Sequence, residues 1–373
     1  MRLRFPKIIV AVLALAAPAL AERLDFPKDG LESRIEFWKK VYTQYGEKDV
    51  IIHDRINVNL IYDIASPDDA RSRISTVQHA IKEIRDNLDT PDNLSSIGKQ
   101  VRDSIVSNSV PLTPAALDEL SENVHTQLGI KERFRDGVIR SGRYIDAFRE
   151  IFTKQNVPEE IALLPLVESS FENRSLSKVG AAGIWQFTRG TGRLYMNVTR
   201  KLDERLDPSK ATVAAARLLR GNFDALGSWP VAITAYNHGR GGMMRAQTAV
   251  GADITTIIKD YRGPLFGYAS MNFYTEFLAA VEVYQSYEQY FGQLTLDTPA
   301  TKSATTTRAA ASKAAAKPKV QTAKASPADR YKVRKGDTLW DIAQKFGLSI
   351  ADLMDKNNLR NSAIHAGQLL LVK

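Results

Sequence analysis

Hydrophobic positions along this chain recur mostly at helical spacing. Trp38, Val41, Tyr42 and Tyr45 fall on one helical face, and the stretches 74–88 and 97–105 keep the same period. Two short apolar runs interrupt it. Val50-Ile51-Ile52 and Val58-Asn59-Leu60-Ile61-Tyr62 read as strands or extended segments. Thr113-Pro114 supplies an N-cap and a proline at the first helical position, which predicts a helix to about Leu128. From 131 to 292 the pattern is almost entirely helical. One helix, entered at Asn156 or Val157, carries Ile161, Leu164 and Val167, and Pro165 inside it should kink it. Asp207-Pro208 opens an alanine-rich helix through Leu219. A long final helix is expected from Met271 to Tyr290.

The pattern stops at the end of that helix. Residues 297–329 are Ala, Lys, Thr, Ser and Pro, a composition that cannot build a core and reads as a linker. A small module follows. Tyr331-Lys332-Val333 reads as a strand, and Leu339, Ile342, Ala343 and Phe346 as the inner face of a helix. Ser349 caps a second helix with Leu353 inward, and Leu369 to Val372 closes as a strand. The order is strand, helix, helix, strand. At the other end, Arg2, Arg4 and Lys7 precede an apolar stretch ending at Ala19-Leu20-Ala21, the pattern of a cleaved secretory signal. The expected division is a signal at 1–21, a mainly helical wrapping region at 22–130, a helical catalytic domain at 131–292, a linker at 293–329 and the small module at 330–373. An exported protein with no stable membrane span after signal cleavage is expected, since that apolar stretch is short and no later segment could span.

Composition narrows the chemistry. With 373 residues, 44% of them hydrophobic, there is material for one sizeable core plus a small module. There is no cysteine, which excludes disulfides, thiol nucleophiles and cysteine metal sites. The histidines are scattered without metal-ligand spacing, so neither metal nor cofactor is expected. The net charge of +9 resides largely in the leader and in residues 300–328, which hold six basic side chains and no acid. A basic tether is not an organised basic face, and nucleic acid is not an expected partner.

Leu163 to Phe187, LLPLVESSFENRSLSKVGAAGIWQF, carries the candidate chemistry. It sets one acid, Glu168, in an apolar run. Burial among Leu164, Val167, Phe171 and Trp185 would disfavour its charged form and keep it a proton donor near neutral pH. Lysozyme works in this way, with a carboxyl in a hydrophobic pocket serving as general acid. Ser169 could bond near the carboxyl or substrate, or cap the helix end. Gly183 would permit close backbone approach. Gln186 suits an N-acetyl or lactyl group, or else steadies the turn. Trp185 could stack on a sugar or fill the core.

Glu168-Ser169, Gly183-Ile184-Trp185-Gln186-Phe187 and Ala235-Tyr236-Asn237, in this order and spacing, resemble the three sequence blocks of family 1 lytic transglycosylases, nearest to the membrane-bound lytic transglycosylase D type. Leu202 to Pro208 and Trp229-Pro230-Val231-Ala232 support the likeness. The resemblance implies a lysozyme-like, mainly α catalytic domain. It implies non-hydrolytic cleavage of the β-1,4 bond between N-acetylmuramic acid and N-acetylglucosamine in peptidoglycan, leaving 1,6-anhydro ends. Glu168 would be the acid and then the base. Tyr236 and Asn237 would line the cleft, and Phe273 or Tyr274 would take the place of a tyrosine that relatives set beside the catalytic acid. Glu172 departs from the family pattern, where Asn is common; on a continuing helix it would share a face with Glu168, but it is expected to point to solvent.

Residues 331–373 resemble the LysM peptidoglycan-binding module, a small α+β domain. By analogy Gly336, Asp337, Thr338, Leu339, Asn358 and Ile364 would meet the sugar. The expected partner is the peptidoglycan glycan strand, met in the periplasm or cell envelope by a monomer. Two rivals stay open from sequence: a hydrolase of goose-type lysozyme character, and a non-catalytic peptidoglycan-binding protein.

Overall fold

The computed structural model describes residues 26–299, 330–334, 342, 346, 353, 356, 357, 359, 365 and 367–372. The leader at 1–21, most of the linker and the six LysM sugar-contact candidates, Gly336, Asp337, Thr338, Leu339, Asn358 and Ile364, lie outside the described residues.

The chain begins with α1 (Glu32–Thr43), followed by β1 (Val50–Asp54) and β2 (Ile61–Ala65). Next come α2 (Ala70–Asp86), α3 (Ser96–Ser107), α4 (Pro114–Glu122) and β3 (Val124–Leu128). The three strands form an antiparallel sheet in the order β2-β1-β3. As central strand, β1 is buried along its whole length. Side chains alternate across a strand, so its two faces serve different cores. Ile51 joins the main core, with Phe37 and Trp38 of α1. Ile52 joins a second core made with Tyr62, Val77, Ile81, Ile84 and Val101. The wall between the two cores is therefore β1 itself.

The helix expected from Thr113 to about Leu128 ends early. Thr113 does cap it, accepting from the Ala116 amide, but the helix stops at Glu122 and 124–128 become β3. Val124, Thr126 and Leu128 have β-branched or apolar side chains in alternation, and β1 offers a free edge to pair with. Tertiary pairing overrides the helical reading there.

The main core is helical. It is built on α5 (Lys131–Ser141), α6 (Ile145–Lys154), a 3-10 turn (Glu159–Leu163), α7 (Pro165–Glu168) and α8 (Arg189–Tyr195). It continues through a 3-10 turn (Glu204–Leu206), α9 (Pro208–Leu226), α10 (Trp229–His238), α11 (Arg240–Val250), α12 (Ile254–Asp260), α13 (Tyr268–Gln285) and α14 (Tyr287–Phe291). Asp207 caps α9 by accepting from the Lys210 amide, and Gly227 ends it in the left-handed conformation, φ 70°. The final helix expected over 271–290 is divided: α13 ends at Gln285 and Ser286 separates it from α14. The long helix α13 packs on α1, α10 and α7. Through α1 the N-terminal segment thus touches the helix that forms one wall of the site below.

In the C-terminal module β4 (Arg330–Lys332) pairs antiparallel with β5 (Leu369–Leu371). Val333, Ile342, Leu353, Leu370 and Val372 form its own small core. Asn357 stitches that core together, donating to the Leu353 and Leu371 carbonyls and accepting from the Leu371 amide.

Candidate active site

Pro165 does not kink a continuing helix. It starts a new one. The preceding segment is a 3-10 turn, and Pro165 occupies the first position of α7, where its missing N–H costs nothing. That helix lasts one turn and ends on Glu168. Ser170 and Phe171 then take left-handed conformations, φ 51° and 57°, so the chain turns sharply behind the acid. Such residues cost of order 1–3 kcal/mol each and persist only where the surroundings fix them. Here they do. The Ser170 carbonyl accepts from Arg140 Nε at 3.0 Å, and Gly137 lets α5 approach Ser170, where a Cβ would come within 2.9 Å. Phe171 is driven into an aromatic stack with Tyr144 and Phe148. Because the helix stops, Glu172 is not carried onto the face of Glu168; it is exposed.

Beneath Glu168 lies the loop 175–187. It is held by its own backbone pairing, Ala182 to Phe187 and Gly183 to Ser175. Arg205, almost fully buried, pins it from below. Its guanidinium donates to the Gly180 and Phe187 carbonyls, both at 2.8 Å, and makes a fork with the Asp203 carboxylate. Gly183 has φ 81°, and a Cβ there would sit 1.9 Å from the Arg205 carbonyl oxygen. The glycine is thus required by the Arg205 segment.

Other expected site residues hold the same framework. Ser169 is fully buried and donates to the Ile184 carbonyl at 2.8 Å. Gln186, φ 46°, donates to the Gly183 and Ser175 carbonyls. Trp185 is fully buried, donates Nε1–H to Thr212 at 2.8 Å and stacks on Phe152. The sugar-stacking role considered for Trp185 is closed by that burial, since no ring face is free. On α10 Tyr236 is half-buried and donates its hydroxyl to the Trp185 carbonyl at 2.7 Å, while Asn237 is exposed and accepts from Ser270 at 2.9 Å.

Of the two aromatics expected on α13, Phe273 has no hydroxyl, and the hydroxyl of Tyr274 bonds to the N-terminal segment. Tyr274 is fully buried and donates to the Pro27 carbonyl, 3.1 Å away, and Phe273 is buried in the main core. Tyr236 is a phenol that feels the charge of Glu168. Its ionisation is pushed well above the usual tyrosine range by burial, with a further push from the charge of Glu168.

Glu168 itself is half-buried, and desolvation pushes its pKa up to about 8. A carboxylic acid at that value holds its proton at neutral pH. A second carboxyl belongs to the same site and was missed in the sequence: Glu276 of α13. Burial raises it to about 8, and Glu168 adds a like-charge push. The signal was present. Glu276 stands alone between Thr275 and Phe277 in an apolar helix, the same criterion that points to Glu168. Among the described residues no cluster of His, Asp and Glu could hold a metal ion.

The segment that holds this one-turn helix, its half-buried acid and the pinned Gly-Ile-Trp-Gln-Phe turn also matches a known domain model. The family model for the transglycosylase SLT domain matches residues 147–258. This chain carries a transglycosylase SLT domain. It also carries a LysM domain, matched over residues 331–373. Among curated relatives it is homologous to membrane-bound lytic murein transglycosylase D of Escherichia coli K12, 37% identical over 133 residues. That alignment covers 35% of this chain and 29% of the relative, so the chain spans under a third of the relative's length. A second relative, named "Probable N-acetylmuramidase" in Lactococcus lactis subsp. lactis IL1403, is 48% identical over 42 residues, 11% of this chain and 10% of its own. The SLT match holds Glu168, the 175–187 loop, Arg205 and Tyr236, while Glu276 lies beyond it.

Proposed function

We propose that this protein is a lytic transglycosylase of peptidoglycan, with Glu168 as its one general acid and base. The observation that carries the reading is Glu168 itself: a half-buried carboxyl, raised to about 8, at the end of a one-turn helix within the SLT-matched segment. The protonated acid gives its proton to the glycosidic oxygen as the bond from the muramyl anomeric carbon breaks. The resulting carboxylate then takes the proton of the muramyl 6-hydroxyl as that oxygen bonds to the anomeric carbon. No water enters, and Glu168 ends protonated again. The usual second carboxylate of a glycosidase is replaced by the substrate's own groups, as in substrate-assisted enzymes.

Tyr236 and Asn237 are proposed to line the cleft. Ser169, Gly183 and Gln186 are proposed to act by holding the turn beneath Glu168, with their polar groups spent on that turn. The LysM segment is proposed to hold glycan strands near the cleft, raising effective substrate concentration through its tether. Similarity to murein enzymes, one of them named membrane-bound, supports a place in the cell envelope. No helix among the described residues is long and apolar enough to cross a membrane.

The test is mass spectrometry of the products from purified sacculi. Muropeptides ending in 1,6-anhydro sugar, lighter by one water than hydrolysis products, are expected. Reducing muramyl ends would assign hydrolysis instead, and solubilisation by Glu168→Gln at the wild-type rate would remove Glu168 from its role.

A further inference from the structure

Ser270, in the first turn of α13, meets the two consecutive residues that end α10, Asn237 and His238. Its hydroxyl lies 2.9 Å from Asn237 Oδ1 and 3.3 Å from His238 Nδ1. Ser270 is buried, whereas Asn237 is exposed. The His238 ring is held from three elements. Phe266 meets it edge-on, with ring centroids 5.1 Å apart. Gly242 of α11 lies so close that a Cβ there would come within 2.4 Å of ring atoms Cδ2 and Nε2. Ser270 of α13 takes Nδ1, while Nε2 is buried and has no partner among the described residues.

Proton counting gives these contacts one direction. Burial, helped by the charge of Arg245, holds His238 below the usual imidazole range, so the ring is uncharged at neutral pH and carries one N–H. Ser270 has one hydrogen to give, and Asn237 Oδ1 can only accept. The hydroxyl proton therefore lies on the shorter contact, and the ring donates on the longer one, through Nδ1–H. The bonds run from His238 to Ser270 to Asn237. They occupy the oxygen end of the Asn237 amide and turn its nitrogen end away from Ser270. Among the described residues Asn237 Nδ2 makes no hydrogen bond, so both of its N–H groups are open to a ligand. A reversed amide would leave the Ser270 proton only Nδ1 to bond. The ring proton would then move to Nε2, a buried atom with no acceptor to receive it.

Resting on the reading of this cleft as the glycan site, we infer that Ser270 and His238 are positioning residues that fix the Asn237 amide so that it meets the substrate only as a donor, through Nδ2. The group that fits is an oxygen acceptor of the amide carbonyl type. Peptidoglycan carries such carbonyls in two places, the N-acetyl groups of its sugars and its peptide stems. A ligand ammonium group, which can only donate, finds no acceptor at this amide. Neither Ser270 nor His238 touches the substrate; both act through Asn237.

The experiment is steady-state kinetics of the full chain on soluble glycan strands, with and without their peptide stems. Ser270→Ala frees the amide to rotate. KM should rise by about three- to tenfold, the worth of one hydrogen bond, with kcat within about twofold of wild type. A packing defect alone would lower the melting temperature without singling out KM. Asn237→Asp keeps the bond from Ser270 but sets an oxygen where the amide nitrogen was, so its KM should exceed that of Asn237→Ala. A rise on both substrates places the acceptor on the sugar, and a rise only on stem-bearing strands places it on the peptide; either supports the inference. An unchanged KM in Ser270→Ala on both substrates overturns it, as does an Asn237→Asp KM at or below that of Asn237→Ala. Should Ser270→Ala fold poorly, nitrogen-15 spectra of the His238 ring in the wild-type chain decide: a proton on Nδ1 is expected, and a proton on Nε2 overturns the inference. Failure of the underlying reading is seen separately, as undiminished activity in Glu168→Gln.

Discussion

The hydroxyl of Tyr236 donates to the backbone carbonyl of Trp185 across 51 residues of chain, at 2.7 Å. This bond ties α10 to the turn under Glu168. Its donor also sits in the field of the acid, because Glu168 is among the charges acting on the phenol. One residue therefore joins the rear wall, the floor and the acid.

Tyr236→Phe removes only that donor. A half-buried carbonyl then loses its partner, which costs about 1–2 kcal/mol. The expected outcome is a lower urea midpoint at unchanged m-value, together with a fall in kcat larger than any change in KM. Equal stability of variant and wild type would show that water replaces the phenol at the Trp185 carbonyl.

The pH dependence follows from the acid. Glu168 must be protonated to act, and its folded-state pKa is about 8, above the ordinary glutamate value. Activity should hold through neutrality and fall as pH rises through about 8. The stability sign is set by the same shift. Between the unfolded and folded pKa values the native state binds the extra proton, so this group's contribution is fully present below the ordinary carboxylate range and is lost as pH climbs towards 8. Glu168→Gln should lose about 10²–10⁴-fold in activity, the usual worth of a general acid. It should also melt above wild type at pH 8 and close to it at pH 4, which differential scanning calorimetry at the two values would check.

Much of this site was legible in the sequence, and the exceptions have physical reasons. The acid in an apolar run, the Asp207 cap and the strand begun at Val50 come from local rules that need no partner, whereas of the run 58–62 only Ile61 and Tyr62 are in a strand, residues 58–60 forming the turn that leads into it. Where the sequence left a choice open or misled, long-range contacts decided. The segment 124–128 became a strand because β1 supplied an edge. Trp185 is closed to sugar because Phe148, Phe152 and Thr212, brought by α6 and α9, enclose it. Glu276 carries no local mark of its surroundings, since it lies among the aromatic residues Phe273, Tyr274 and Phe277 of α13. The packing of α13 on α7 brings the helix that bears it against the one that ends at Glu168.

Glycine requirements in the 175–187 loop can be told apart. Gly180 and Gly183 have the same φ, 81°, but nothing lies within 4 Å of a Cβ at Gly180, whereas the Arg205 carbonyl oxygen blocks one at Gly183. Gly180→Ala should therefore show only the backbone penalty of about 1 kcal/mol. Gly183→Ala must also displace the Arg205 segment. It should lose more stability than Gly180→Ala and nearly all activity. Similar melting temperatures for the two variants would refute the role given to that contact.

Arg205 offers the sharpest test of how the floor is held. Its side chain is 1% exposed and its hydrogen bonds go inward, to the Asp203 carboxylate and to the Gly180 and Phe187 carbonyls. The carboxyl of Asp203 is held below the usual carboxylate range chiefly by the hydrogen bond from Arg205. Arg205→Met fills similar space but removes the guanidinium from the Asp203 carboxylate and the Gly180 carbonyl, and leaves the Phe187 carbonyl only the Ala182 amide. Breaking a buried pair from one side costs about 3–5 kcal/mol. Arg205→Lys restores a charge but not a planar fork, so it cannot serve the carboxylate and both carbonyls together. The expected order of melting temperature is wild type, then Lys, then Met. Kinetics should separate floor from fold: at a temperature where Arg205→Lys is fully native, kcat should still fall, because Gly183–Phe187 loses its fixed position beneath Glu168. A folded Arg205→Lys with wild-type kcat would mean that the loop keeps its shape from its backbone bonds alone.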